Sequence, residues 1–327
     1  MPSNSTAKEV LSAALASERL MLVSHRKPDG DTLGSALAFG HMIERFGREP
    51  LRYCSDPVPE PYRFLHGADR VTSSITAARQ FAPDTIAVFD AGDLRYAGID
   101  ELVGMLPKRP IIIDIDHHIT NERFGDINFI VPEASSTAEV VYSIFRGSNF
   151  AIDRPVATCL LAGLLTDTGN FSNPATTAAA LRLGAELLSA GADFRRAFGN
   201  LVQNKTIPAL RLWGTALSRL RWDDDFQAAA TAICQNDLDA CGSSEESAEG
   251  ISNFLHAVLQ TDTVVVLREV PGGKLKASLR SNGDRDVSEL AKRYGGGGHR
   301  KAAGFTMDGT LNVSDTEWKI IQKSVIL

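Results

Sequence analysis

Four segments in the first half of the chain put acidic and histidine side chains at the ends of apolar runs. They are His25-x-x-x-Asp29-x-Asp31, Asp90, Asp116-His117-His118 and Asp167. The runs before them are Leu20-Met21-Leu22-Val23, Ile86-Ala87-Val88-Phe89, Ile111-Ile112-Ile113 and Leu160 to Leu165. Charged and imidazole groups at the ends of core elements are costly to desolvate unless something compensates them. A pair of divalent cations would compensate all four segments at once. Carboxylates and imidazoles suit Mn, Mg, Fe, Co or Zn, and two such ions held close together are a device for phosphoester cleavage.

The periodicity around these segments predicts an α/β fold. A helix is expected over 7–18, a strand over 20–24 and a helix over 32–46. Further strands are expected near 50–54, 85–89 and 111–115. Strands alternating with helices imply a doubly wound, mainly parallel sheet covered on both faces. In such sheets the ligand crevice lies beyond the carboxyl ends of the strands, where the sequence places Asp90, Asp116 and the His25 turn. From Thr137 to about Leu220 the pattern is helical, with breaks near Asp153-Arg154-Pro155, Asn173-Pro174, Gly191 and Pro208. After Trp222-Asp223-Asp224-Asp225 the texture changes. Strands are expected over 227–233, 262–270 and 274–281, and a helix over 286–293. The organisation read from this is a first domain over 1–191, a helical linker over 192–222 and a smaller α/β domain over 223–327. The active site is expected in the cleft between the two domains.

Composition narrows the partners. The net charge of −6 argues against avid binding of long duplex nucleic acid. Its distribution is uneven. Arg268 to Lys301 holds nine Lys/Arg against four Asp/Glu, a local +5, which leaves −11 on the rest. An acidic half able to hold cations thus precedes a short basic segment able to hold phosphates, although a solvated basic face explains most of those lysines equally well. The polar start, Met1 to Glu9, has no apolar stretch of a secretory signal, and no run approaches a membrane span. Cys54, Cys159, Cys234 and Cys241 are scattered without CxxC spacing, as expected of reduced thiols in a cytoplasmic protein.

In His25-Arg26-Lys27-Pro28-Asp29-Gly30-Asp31, an extended turn lets Asp29 and Asp31 point to one side, with Gly30 bending the backbone between them. A helix-capping Asp in a turn is the plainer reading of Pro-Asp-Gly-Asp alone. With His25 before it and three segments behind it, metal binding is preferred. Asp90 at a strand end could bridge two ions, and Asp93 reads as a helix cap or a supporting group. Adjacent residues on a strand point opposite ways. One of His117 and His118 is therefore expected on metal and the other toward a phosphate, with Asp116 orienting an imidazole. Asp167, at the end of an apolar helix, needs a partner unless it caps the next helix.

Taken together, these segments resemble the DHH phosphoesterase superfamily. It contains RecJ-like exonucleases, family II inorganic pyrophosphatases and the short nanoRNases that also hydrolyse 3′-phosphoadenosine 5′-phosphate (PAP). The sequence Gly295-Gly296-Gly297-Gly298-His299-Arg300-Lys301-Ala302-Ala303-Gly304-Phe305 resembles the signature of the DHH-associated domain, about 180 residues after the DHH triplet. The resemblance covers almost the whole chain and is nearest to the nanoRNase and PAP phosphatase branch. It implies that His25, Asp29 and Asp90 hold one ion. Asp31, Asp90, His117 and Asp167 hold the other, with His118 on the phosphate. It further implies that Arg280, Gly296, Gly297, Gly298 and His299 bind substrate. Asn121 and Ser135-Ser136-Thr137 match family segments that line the cleft.

The expected function is hydrolysis of short oligoribonucleotides, dinucleotides or nucleoside bisphosphates by two divalent ions. Mn²⁺ is preferred over Mg²⁺, Co²⁺ or Fe²⁺. A RecJ-type exonuclease acting on long strands would need a further nucleic-acid-binding domain, and the chain has no room for one. A soluble cyclic-di-AMP or linear-dinucleotide phosphodiesterase is the alternative. A catalytically silent nucleotide- or RNA-binding module is the alternative of another class, disfavoured by the intact ligand set. No membrane partner is expected, and a homodimer is compatible with the sequence.

Overall fold

A computed structural model describes residues 5–321, except 149, 204 and 282, and leaves the His299 side chain undescribed. The chain divides into two compact units, Met1–Asn204 and Lys205–Leu327. The expected bridge over 192–222 is shared between them. Its first helix belongs to unit one, and its second helix and final strand to unit two.

Unit one begins with α1 (Ala7–Ala16), β1 (Leu20–Ser24), α2 (Gly30–Arg45), β2 (Leu51–Cys54) and β3 (Val71–Thr72). It continues through α3 (Ile75–Phe81), β4 (Thr85–Phe89), α4 (Leu94–Ala97), α5 (Asp100–Met105), β5 (Ile111–Asp116) and β6 (Ile127–Ile130). Four helices close it: α6 (Thr137–Gly147), α7 (Arg154–Asp167), α8 (Ala178–Ser189) and α9 (Phe194–Leu201). The six strands form one sheet in the order β3-β2-β1-β4-β5-β6, and every pairing is parallel. Strand order therefore reverses between β1 and β4, the switch point at which such sheets open a crevice. His25 and Asp90 follow those two strands directly.

Alternation explains how both faces are filled. Leu20, Leu22, Ala87, Phe89, Ile113 and Ile115 enter one apolar cluster. Met21, Val23, Ile86, Val88 and Ile112 enter the cluster on the opposite face. A strand buried on both faces reads as an unbroken apolar run, which is what these strands show.

Helix α2 is buried along its length from Gly30 to Ile43. It lies so close to α7 that a Cβ on Gly34 would fall 2.3 Å from the Cys159 carbonyl oxygen. One on Gly163 would fall 2.6 Å from Asp31 Oδ1. These glycines let the helix bearing Asp31 approach the helix bearing Asp167. Gly34→Ala is expected to destabilise the protein by about 1–3 kcal/mol, because the obstructing atom is backbone and cannot rotate away. Denaturant unfolding measures this, and an unchanged midpoint would contradict the close packing.

Unit two contains α10 (Ile207–Ser218), β7 (Arg221–Asp223), β8 (Ala228–Ile233), α11 (Gln235–Cys241) and α12 (Ile251–Val258). After them come β9 (Thr263–Val270), β10 (Lys274–Ser281), α13 (Val287–Arg293), β11 (Gly297–His299) and β12 (Ala302–Asp308). A separate hairpin, β13 (Thr310–Val313) and β14 (Trp318–Ile321), ends the described chain. The mixed sheet has the order β11-β12-β10-β9-β8-β7, with β8 and β9 parallel and the remaining pairs antiparallel. The break expected near Pro208 falls between α9 and α10, just before the proline. Pro208 itself stands in the first turn of α10, where proline's missing N–H costs nothing.

Candidate active site

The site is assembled at the carboxyl ends of β1, β4 and β5, with contributions from α2, α6 and α7. Thr32 ties the switch point together. Its hydroxyl donates to the Phe89 carbonyl at 2.9 Å and accepts the His25 N–H at 3.1 Å.

Each imidazole is turned by a fixed partner. His25 Nδ1 meets the Arg26 carbonyl at 2.8 Å, leaving Nε2 3.4 Å from Asp90 Oδ2 and 3.8 Å from Asp29 Oδ1. His117 Nδ1 meets the Ala134 carbonyl at 3.2 Å, leaving Nε2 3.0 Å from Asp167 Oδ2 and 3.6 Å from Asp90 Oδ1. That Nε2 is buried and close to Asp167 but makes no aligned hydrogen bond. His118 Nδ1 lies 2.7 Å from Asp116 Oδ1. Fixing Nδ1 in this way sets which nitrogen faces the centre.

Asp90 stands between these groups. Its Oδ2 faces His25, and its Oδ1 lies 3.6 Å from His117 Nε2 and from His118 Nδ1. Its backbone is left-handed, with φ of +61°, and its N–H donates to the Ile115 carbonyl at 3.0 Å. A non-glycine residue there is strained, and such strain collects at functional sites.

The start of α6, the Ser135-Ser136-Thr137 segment that the family resemblance sets along the cleft, supports two of the carboxylates. The Thr137 and Ala138 N–H groups donate to Asp31 Oδ2 and Oδ1 at 2.6 and 2.9 Å. The Thr137 hydroxyl donates to Asp90 Oδ1 at 2.9 Å. A helix N-terminus thereby holds a fully buried carboxylate, favoured by the exposed N–H groups and the helix dipole.

The charges are coupled. Burial pushes His25 down, but Asp90 and Asp29 outweigh it and hold the ring at about 9. Burial likewise opposes His117, and Asp167, Asp31 and Asp90 raise it to about 10. His118 is raised against burial by Asp116 and Asp90. Burial and neighbouring carboxylates lift Asp31 and Asp167, and burial with the Asp90 charge lifts Asp29 to about 6. Asp90 is depressed despite burial, because His25, His118 and His117 surround it. A cluster that carries cationic imidazoles to offset buried carboxylates is one whose protons metal cations can replace.

Three donor groups have ligand atoms within 4.8 Å of one another: His25, Asp29 and Asp90; Asp31, His117 and Asp167; and Asp90, Asp116, His117 and His118. All six residues expected to hold metal are thus brought together. The donor set fits divalent cations, being carboxylate and imidazole with both ring orientations already fixed. Asp29 also caps α2, accepting from the Asp31 and Thr32 N–H groups through Oδ1, so the capping and metal readings describe one residue. Asp93 caps α4, and Thr177, not Asp167, caps α8.

Several expectations change. His117 and His118 were placed on opposite sides by strand geometry. β5 ends at Asp116, however, and the two ring centroids are 4.5 Å apart. Asn121 supports the site through Asp116. Its amide nitrogen lies 2.7 Å from Asp116 Oδ2, 3.2 Å from Asp114 Oδ1 and 3.1 Å from the Ala91 carbonyl. Ser136 is fully buried and caps α6. Part of the glycine run is used by the fold itself. The Gly295 and Gly296 N–H groups close α13 on the Lys292 and Ala291 carbonyls, and 297–299 pair with β12 as an edge strand. The His299 side chain lies outside the described residues.

Asp114 was missed. Burial and Asp116 push it up to about 8. The alternation Ile113-Asp114-Ile115-Asp116 signals that both aspartates share a face. Arg280, on β10, donates through Nε to Asn253 Oδ1 at 2.7 Å, and it forms no ion pair among the described residues.

Residues 19–164 match the DHH family, N-terminal domain, and residues 232–322 match the DHHA1 domain. The chain belongs to the DHH family. It is 30% identical over 290 residues to the "Bifunctional oligoribonuclease and PAP phosphatase NrnA" of Thermus thermophilus, covering 89% of this chain and 84% of that one. The Bacillus subtilis protein of the same name is 24% identical, covering 89% and 90%. A solved structure, that of an exopolyphosphatase-related protein from Bacteroides fragilis, superposes with a TM-score of 0.86 at 26% identity, covering 93% and 91%. The cyclic-di-AMP phosphodiesterase PdeA of Listeria monocytogenes is 25% identical over 93% of this chain, which spans 47% of that protein. DHH phosphoesterases depend on divalent metal, in keeping with the buried acidic and histidine cluster.

Proposed function

We propose that this DHH protein is a phosphoric ester hydrolase that uses two divalent ions, preferably Mn²⁺, to cleave short oligoribonucleotides and dinucleotides and to dephosphorylate PAP. The observation that carries the reading is Asp90, whose two oxygens face separate donor groups, as a carboxylate shared by two cations must. The names borne by the Thermus and Bacillus relatives supply the substrate class. His25, Asp29 and Asp90 would hold one ion, and Asp31, Asp90, His117 and Asp167 the other. Bound there, the ions would supply Lewis acidity to the phosphoryl oxygens and acidify a water. The protein's own residues do the positioning. Thr137 and the start of α6 fix Asp31 and Asp90. Asp116, backed by Asn121 and Asp114, holds His118 by Nδ1 so that a cationic imidazole meets the charge that develops on the phosphate.

In this reading the first domain carries the chemistry and the second contributes Arg280, a cation with no carboxylate partner among the described residues. A cytoplasmic setting fits four free cysteines, and no helix among the described residues is long and apolar enough to cross a membrane. The test is a panel of pApA, pGpG, PAP, cyclic di-AMP and a generic phosphodiester with Mn²⁺, run on the wild type and Arg280→Ala. The wild type is expected to cleave the linear dinucleotides and PAP. Arg280→Ala should weaken dinucleotide binding by about 1.5–3 kcal/mol, the range for a hydrogen bond to a charged group, and should spare the generic ester. Preferential cleavage of cyclic di-AMP would favour the activity named for the Listeria relative. Turnover of none would leave a binding module.

A further inference from the structure

The centre of the DHH unit is acidic, but its rim is not. Tyr96 stands there on the single turn of α4, 48% exposed. Its ring packs against the His25 ring with centroids 4.8 Å apart and planes 32° apart. Its carbonyl accepts the Arg26 N–H at 3.1 Å, so Tyr96 and the His25 turn are fastened to one another. Arg26, Lys27 and Arg95 are exposed, and none forms an ion pair among the described residues.

A half-exposed aromatic contributes little to a core, and the residue that anchors α4 is Ala97. An open ring among unpaired cations is the composition by which proteins hold single-stranded nucleotides. The ring stacks on a base of any identity, and the cations follow the phosphates.

We propose that Tyr96, with Arg26 and Arg95, forms a nucleotide-binding subsite in the first unit, where a nucleobase beside the scissile phosphate stacks on the Tyr96 ring. This rests on the phosphoesterase reading above and deepens it. The preferred substrate is a nucleoside-bearing ester rather than a bare phosphate chain, and the preference does not depend on which base is present.

The competing role for Tyr96 is to buttress His25, and the experiment separates the two. Full-length wild type, Tyr96→Ala and Tyr96→Phe are assayed with Mn²⁺ on pApA and on an abasic dinucleotide with the same phosphodiester. The Mn²⁺-induced thermal shift is recorded for each protein. Tyr96→Ala is expected to raise KM for pApA about tenfold with kcat within about twofold, and to leave the abasic substrate unchanged. Tyr96→Phe should behave as wild type on both substrates, because the ring rather than the hydroxyl does the stacking. The thermal shift should be the same in all three proteins. Equal losses on both substrates, or a smaller thermal shift in Tyr96→Ala, would assign Tyr96 to the metal centre and overturn the subsite. An unchanged KM for pApA would overturn it as well. A wild type that cleaves neither substrate sinks the phosphoesterase reading itself, and the subsite with it.

Discussion

Asp90→Asn is expected to lower turnover by about a thousandfold or more, equivalent to about 4 kcal/mol of lost transition-state stabilisation. The reason is geometric. Asp90 Oδ2 lies 3.4 Å from His25 Nε2, and its Oδ1 lies 3.6 Å from His117 Nε2. One substitution therefore removes a donor from both sets. Asparagine is the cleaner variant, because position 90 is left-handed at φ +61° and asparagine tolerates that region better than alanine. Asp90→Ala should lose the same turnover and about 1 kcal/mol more stability. Metal content and unfolding, measured on both variants, separate the two effects. His118→Ala provides the contrast. Its ring is held by Asp116 and is 36% exposed, so it should retain metal and lose turnover. If His118→Ala loses metal while His117→Ala keeps it, the two imidazoles have been assigned the wrong way round.

Much of this site is legible in the sequence because parallel strands buried on both faces leave a strong trace. Ile86 to Phe89 is apolar throughout, and a charge directly after such a run needs a reason. The ligand candidates announce themselves as exceptions to burial. The supporting residues do not. Thr137 acts through a backbone N–H and a hydroxyl, and neither distinguishes it from an ordinary helix-start threonine. Tyr96 matters through exposure and a ring contact, both fixed only once β4 and β1 are neighbours. The glycine run has a packing role that its sequence does not disclose. Four glycines suggest free N–H groups, but Gly296 has no room for a side chain, since a Cβ there would fall 2.2 Å from the Gly304 carbonyl oxygen. Glycine is required at that position by the closeness of two strands. The short strands after residue 300 are hard to read because their buried residues are few, Ala303, Phe305 and Trp318, and give little period-two signal.

Removing metal is expected to lower the melting temperature substantially, and the loss should grow as pH rises from about 7 to 10. A saturating ligand at a thousand times its Kd stabilises the native state by about 4 kcal/mol. For a domain of 150–250 residues that is roughly 8–16 °C. The pH dependence follows from the imidazoles. Without metal, His25 is held at about 9 and His117 at about 10. Both lie above the unfolded value of about 6.5, so the folded state binds more protons across that window. The stability from those protons is complete below about 6.5 and is lost as pH climbs through 9 and 10. Asp29, raised to about 6, acts in the same sense at lower pH, its contribution fading between about 4 and 6. Metal-loaded protein has already released these protons, because a ligating imidazole is neutral. Its stability should therefore stay flat where that of the metal-free protein falls. Thermal unfolding with and without chelator across pH 6–10 makes the comparison. Calorimetric Mn²⁺ titrations in buffers of different ionisation enthalpy count the released protons directly. A constant gap between the two unfolding curves, with no protons released near pH 7.5, would mean that the cluster is not where the metal binds.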